Sequence, residues 1–171
     1  MNFEGLLWNS LIYEPFLHKI SLQIQKRASS SIPRASIVLN EQRAEYEILY
    51  NEDFLRTLSE DEVKGVFLHE LYHIALGHLW RIPDEIGDEE FKKWNFAADK
   101  AINGLDELVD IVPRDSIIPG YGMFLDEPRK MSMEWYLLNG KVPSGHVPAL
   151  TFLPASANDS IVELAKAKLH G

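Results

Sequence analysis

Two histidines four residues apart, His69 and His73, with Glu70 directly after the first, lie inside a segment patterned as a buried helix. The spacing is a strong constraint on the fold. Positions i and i+4 share a face only in an α-helix, so the chain must be helical here for the two imidazoles to meet. The flanking residues agree: Ser59 and Glu62 have the spacing of a capping box, and Val63, Val66, Phe67, Leu71 and Ile74 follow the apolar three-to-four rhythm, predicting a helix over 58–80. With that geometry both ring nitrogens can reach one metal ion at roughly 2.0–2.1 Å. Glu70, one step round the helix, is placed to take a proton from a water and hand it to a leaving amine. The pattern points to zinc-dependent hydrolysis, with His69 and His73 as ligands and Glu70 as general base.

A catalytic zinc usually has three protein ligands and one open position, so a third ligand has to be found. Asp99 is preferred. It lies in Trp94-Asn95-Phe96-Ala97-Ala98-Asp99-Lys100-Ala101-Ile102-Asn103, a second helical segment whose alanines permit a close approach to the first. Asn95, Asp99 and Asn103 fall on one face of it and need a partner: a metal, a histidine that itself binds the metal, or solvent. His78 competes. On a continuous helix it would point about 140° away from His73, so it can bind only if the helix breaks near Gly77. Asn95 and Glu134 remain as further alternatives.

The string HELYHIALGHLWR, followed by WNFAADKAIN and later by Met131-Ser132-Met133-Glu134-Trp135-Tyr136, resembles the metallopeptidase domain that often precedes a von Willebrand factor A-like domain in bacterial and phage-encoded proteins. The resemblance covers about Glu62 to Leu138. It implies a zincin-type active helix, metal at His69 and His73, the catalytic acid at Glu70 and a functional role for Asp99. There is a looser similarity to gluzincins, whose third ligand comes from an E-x-x-x-D pattern on a later helix; Asn95 stands where that glutamate would align. Nothing after Glu134 offers the D-x-S-x-S site of a von Willebrand domain, so a stand-alone or truncated version is expected.

Composition limits the alternatives. Seventeen Lys and Arg against 26 Asp and Glu give a formal charge of −9, which argues against nucleic acid or an anionic membrane as partner. The absence of cysteine removes disulfides, thiolate metal sites and thiol catalysis, leaving His and carboxylate as ligands. No leader-like N-terminus and no long apolar run is present, so a cytoplasmic protein is expected.

Along the chain, Phe3, Leu6, Leu7, Leu11, Leu17, Ile20 and Ile24 read as core positions of a helical region split at Pro15. Residues 28–33 read as a loop. Ala35 to Leu39 and Glu45 to Tyr50 read as an antiparallel pair, and Glu47 to Tyr50 suits an edge strand that would hold an extended substrate. Residues 112–130 are rich in Pro and Gly and irregular; Tyr121 within them is a candidate oxyanion donor, though surface packing fits it better. Gly65 implies a close approach of backbone or substrate, or packing. Trp80, Trp94 and Trp135 read as core aromatics, and His18, His146 and His170 as surface histidines. The expected architecture is α+β and zincin-like, mostly helical with a small antiparallel sheet beside the histidine helix. A single domain spans 1–171, with its core in 1–139 and a loop-rich tail ending in a helix over 140–171. The functional expectation is a zinc metallopeptidase acting on protein or peptide substrates. The alternative is a non-catalytic module that keeps the fold and works through a regulatory protein partner.

Overall fold

The computed structural model describes residues 2–11, 14–83, 85–142 and 159–170 of the 171-residue chain. It is an α+β fold, mostly helical, with one three-stranded sheet. The N-terminal helical region is split where expected: α1 covers Phe3–Ser10, and α2, Pro15–Gln23, opens with the proline, which needs no backbone N–H partner there. Leu11, Leu17, Ile20 and Ile24 are buried. The sheet consists of β1 (Gln25–Ala28), β2 (Ala35–Asn40) and β3 (Glu45–Tyr50) in the order β1-β3-β2. β2 and β3 are antiparallel in the register Ile37 opposite Ile48, as their alternation predicts.

Two expectations about the sheet need correction. It is mixed, not purely antiparallel, because β1 pairs in parallel with β3. β1 is Gln-Lys-Arg-Ala and mostly exposed, so it has no apolar alternation to announce it; its backbone is a strand because β3 offers a free ladder. That pairing places β3 in the centre, with both of its edges in use, and Glu47 to Tyr50 therefore cannot receive a substrate strand. The outer edges belong to β1 and β2.

Helices α3 (Glu52–Leu55) and α4 (Glu60–Ala75) follow. The capping box at the start of α4 is present: Ser59 Oγ accepts from Glu62 N at 3.2 Å, and Glu62 Oε2 accepts from Ser59 N at 2.9 Å. The predicted continuous helix over 58–80 is interrupted. Gly77, at φ 69°, terminates α4 in the left-handed conformation, and a separate turn, α5 (His78–Arg81), starts after it. Next come α6 (Asp88–Asn103), with Asp88, Glu89 and Glu90 at its N-terminal dipole, then α7 (Met133–Asn139) and α8 (Asp159–His170). Between α6 and α7 the chain is irregular except for one 3₁₀ turn at Gly122–Phe124. Of the loop expected over 140–158, residues 143–158 lie outside those described. No helix among the described residues is long and apolar enough to cross a membrane.

Helix α4 is the centre of the molecule, buried on almost every side from Val63 to Ile74. It packs on α1, α2, β2 and α6, and the alanines Ala97, Ala98 and Ala101 of α6 are buried in the same core. Gly65 serves packing: a Cβ there would lie 2.2 Å from the Ile111 carbonyl oxygen. That neighbour is backbone and cannot rotate away. Gly65→Ala is therefore expected to destabilise the fold by about 3 kcal/mol or more, despite the better helix propensity of alanine. Urea unfolding would measure it, and a midpoint equal to wild type would show that the 105–112 backbone yields freely.

Candidate functional site

α4 and α6 bring His69, His73 and Asp99 together at the core of the protein, each with at most 2% of its surface exposed. His69 Nε2 and His73 Nε2 are 2.9 Å apart, and Asp99 Oδ1 is 3.4 Å from each. Ligands of a tetrahedral zinc with bonds of roughly 2.0–2.1 Å lie about 3.3 Å from one another. The three atoms thus have nearly the spacing that one ion requires, with the imidazole pair slightly tight.

The hydrogens explain why this cluster calls for a cation. Asn103 Nδ2 donates to the Ile117 carbonyl at 3.0 Å, which turns its Oδ1 toward His69 Nδ1 at 2.7 Å. A carboxamide oxygen only accepts, so His69 carries its hydrogen on Nδ1 and presents a bare lone pair at Nε2. His73 Nδ1 lies 3.2 Å from His78 Nδ1. With its hydrogen on that side His73 presents a bare Nε2 to a metal ion; with the hydrogen on Nε2 it donates to His69 instead. Asp99 Oδ1 is buried and makes no hydrogen bond. His69 Nε2, His73 Nε2 and Asp99 Oδ1 thus converge on one point in the core, an arrangement that a metal ion satisfies.

Electrostatics follow the burial. His73 is pushed down to about 4 by desolvation, which outweighs Asp99, and His78 down to about 2 by desolvation, His73 and Arg81, so both are neutral near pH 7. For His69 desolvation acts downward too, but Asp99 and Glu70 outweigh it and raise its pKa. Glu70 is pushed up to about 8, mainly by burial and further by Asp99, against the opposing pull of His69 and the Ile37 N–H. A divalent cation among these groups would reverse that balance and favour the carboxylate.

Glu70 is held by the sheet. Its Oε2 accepts the Ile37 N–H of β2 at 2.8 Å, while its Oε1 is buried without a hydrogen-bond partner. One oxygen is anchored to main chain and the other is left without a partner.

The helix break allowed for at Gly77 does occur, and it carries His78 back to the cluster. It meets the outer nitrogen of His73, however, and stands behind that residue as an orienting partner; Asp99 occupies the third corner. Glu134 is elsewhere, in an ion pair with Arg81. Asn95 is buried on the same α6 face as Asp99. Asp99 and Asn103, four residues apart, match the spacing of the E-x-x-x-D pattern one helical turn later than the alignment through Asn95. Tyr121 is half exposed and lines a separate cavity of about 490 Å³ with Val109, Ile117 and Phe124. Trp80, Trp94 and Trp135 are partly buried against the core. His18 lies half-buried on α2, and the side chains of His146 and His170 fall outside the described residues. The contact of Asn103 with a histidine of the cluster is one of the partners expected for its stripe, whereas the place of His78 behind His73 and the role of the Ile37 amide were missed. His78 reads only as a ligand in the sequence, and a main-chain N–H carries no signal there.

His78 orients His73 from behind, so its removal should weaken the metal without abolishing it. His78→Leu is expected to lower zinc affinity about 10- to 100-fold, with His78→Gln, whose side-chain oxygen can accept from His73 Nδ1, recovering most of the loss. Competition against a chromophoric chelator reads this out, and wild-type affinity in His78→Leu would remove His78 from the site.

No curated protein and no solved structure matches the chain. A family model described as "Putative metallopeptidase domain" matches residues 12–120, a span that holds β1 to β3, α4 and α6 and with them every residue of the cluster. On that match, which covers well over half of its length, the chain belongs to this metallopeptidase-domain family.

Proposed function

We propose that the protein is a zinc-dependent peptidase in which His69, His73 and Asp99 hold the metal and Glu70 is the general base. The observation that carries this reading is the convergence of His69 Nε2, His73 Nε2 and Asp99 Oδ1 beside a carboxylate with one anchored and one partnerless oxygen. Zinc suits two imidazoles and one carboxylate, and when bound it polarises a scissile carbonyl and brings the pKa of water toward neutrality.

The residues divide the remaining work. Glu70 Oε1 takes the proton of the attacking water; the Ile37 N–H holds Oε2 meanwhile, so the carboxylate does not swing away. The same proton then passes from Glu70 to the nitrogen of the leaving amine, which departs neutral. Asn103 and His78 keep both imidazoles in the ligating tautomer. β2 replaces β3 as the strand along which an extended peptide can pair. The Ile37 N–H points away from β3 and is taken by Glu70, so the main chain left to a peptide on that side begins at Leu39, two residues on, whose amide turns the same way.

The seal around the cluster favours a second reading, a module whose metal is structural and whose work is done by contact with a partner. The partnerless Glu70 oxygen speaks against it, because a structural site gains nothing from a bare buried carboxylate oxygen. Zinc content of the purified protein, measured beside cleavage of an unfolded protein with and without a chelator, separates the two. One zinc per chain and chelator-sensitive cleavage support the peptidase; one zinc and no cleavage support the module.

A further inference from the structure

Asn95 takes no part in the scheme above, although its surroundings are unusual. It is 2% exposed, and its Oδ1 is buried with no hydrogen-bond partner. A protein gains nothing in stability from an unpaired carboxamide oxygen in its core, and an apolar side chain of similar size would serve better there. The position along α6 is informative. Asn95, Asp99 and Asn103 follow one another at i, i+4 and i+8 on one face, with about 6 Å between successive members. Asn103 meets the outer nitrogen of His69, and Asp99 meets both His69 and His73. Descending α6 therefore corresponds to ascending α4, and Asn95 comes next, on the His73 side of the cluster.

We propose that Asn95 is a substrate-binding residue of the metal centre, its Oδ1 accepting a main-chain N–H of the peptide beside the scissile bond. The inference rests on the peptidase reading and specifies the substrate group that the site recognises. A carboxamide matches a peptide amide, with one acceptor for the N–H and donors for a carbonyl. It is also uncharged. An aspartate there would add a third carboxylate beside Asp99 and Glu70 and compete for the metal, whereas asparagine reads an N–H without changing the charge of the site. The partnerless oxygen is then the acceptor whose hydrogen bond the substrate amide would supply.

The test is Asn95→Leu in the full, zinc-loaded chain, which replaces the carboxamide by an apolar group of similar size. Because an unpaired polar atom is removed, the melting temperature should rise by about 2–4 °C, the reverse of what loss of a structural hydrogen bond would do. Zinc affinity should stay within about twofold of wild type. KM for a peptide substrate should rise about tenfold, the value of one hydrogen bond between neutral partners, with a smaller change in kcat. A depsipeptide that replaces the N–H beside the scissile bond by an ester oxygen should be cut about tenfold less efficiently by wild type but with no further loss by Asn95→Leu. A lowered melting temperature with KM unchanged would make Asn95 structural, and a lost zinc would make it a ligand; equal depsipeptide penalties in both proteins would also overturn the assignment. Cleavage of no peptide by zinc-loaded wild type would defeat the peptidase reading itself, whereas normal wild-type cleavage with any of the former results defeats only the role of Asn95.

Discussion

Glu70→Gln is expected to reduce turnover of a peptide substrate by about 100- to 10,000-fold while leaving the fold and the zinc content intact. The asymmetry comes from the two oxygens. The carbonyl oxygen of the glutamine can still accept the Ile37 N–H that now binds Oε2, so the side chain keeps its anchor on β2. An NH₂ group, however, replaces the oxygen that has no partner and receives the proton. The exchange also removes a buried carboxylate whose pKa burial pushes up to about 8, so no loss of stability is expected from it. Single-turnover kinetics with zinc analysis on the same sample would decide it. Retained turnover would remove Glu70 as the base, and a protein that loses its zinc along with activity would make Glu70 part of the metal site.

The second large effect is expected at Asp99, and it is read through the metal. In the zinc-loaded protein Asp99→Ala removes one of three ligands, and affinity should fall by well over 100-fold, more than loss of an orienting partner causes. In the metal-free protein the same change removes a buried oxygen that faces two imidazole nitrogens at 3.4 Å without a hydrogen bond. Near neutral pH the metal-free variant also loses the attraction by which Asp99 raises the His69 pKa, so the decisive quantity is the gain in melting temperature on adding zinc, which is large for wild type and should shrink toward zero in Asp99→Ala. Thermal melts of both proteins with chelator and with zinc give all four values. Equal stabilisation by zinc in the two proteins would rule Asp99 out as a ligand and return His78 to consideration.

Several parts of this arrangement were legible in the residues. The capping box at Ser59 and Glu62 and the apolar face of α4 are local signals, and each stands where its pattern placed it. The polar stripe Asn95, Asp99, Asn103 was equally visible, and so was the possibility that Gly77 breaks the helix, since glycine alone adopts a φ of 69° without strain. The outcomes were not legible. Breaking α4 frees His78 to turn back, but whether it reaches the inner or the outer nitrogen of His73 depends on how α5 docks. The stripe on α6 has three candidates for one ligand, and the register of α6 against α4 gives Asp99 the inner position and Asn103 the outer one.

β1 and the Ile37 amide mark the limit most clearly. Gln25 to Ala28 is polar and exposed, with no period to read, and becomes a strand only because β3 has an unfilled edge. Its arrival moves β3 to the centre and leaves β2 as an outer strand. Ile37 would read the same in any sheet, yet its N–H is the group that anchors Glu70. The sequence by itself determined the chemistry available: two imidazoles on one helical face, a carboxylate beside them, no thiol, and a second polar helical face. Only the tertiary structure decided which acid completes the cluster, which groups meet the outer imidazole nitrogens and which strand holds Glu70. Helical periodicity is a property of residues a few positions apart, whereas those choices depend on hydrogen bonds and packing between segments tens of residues apart, and no local pattern encodes their register.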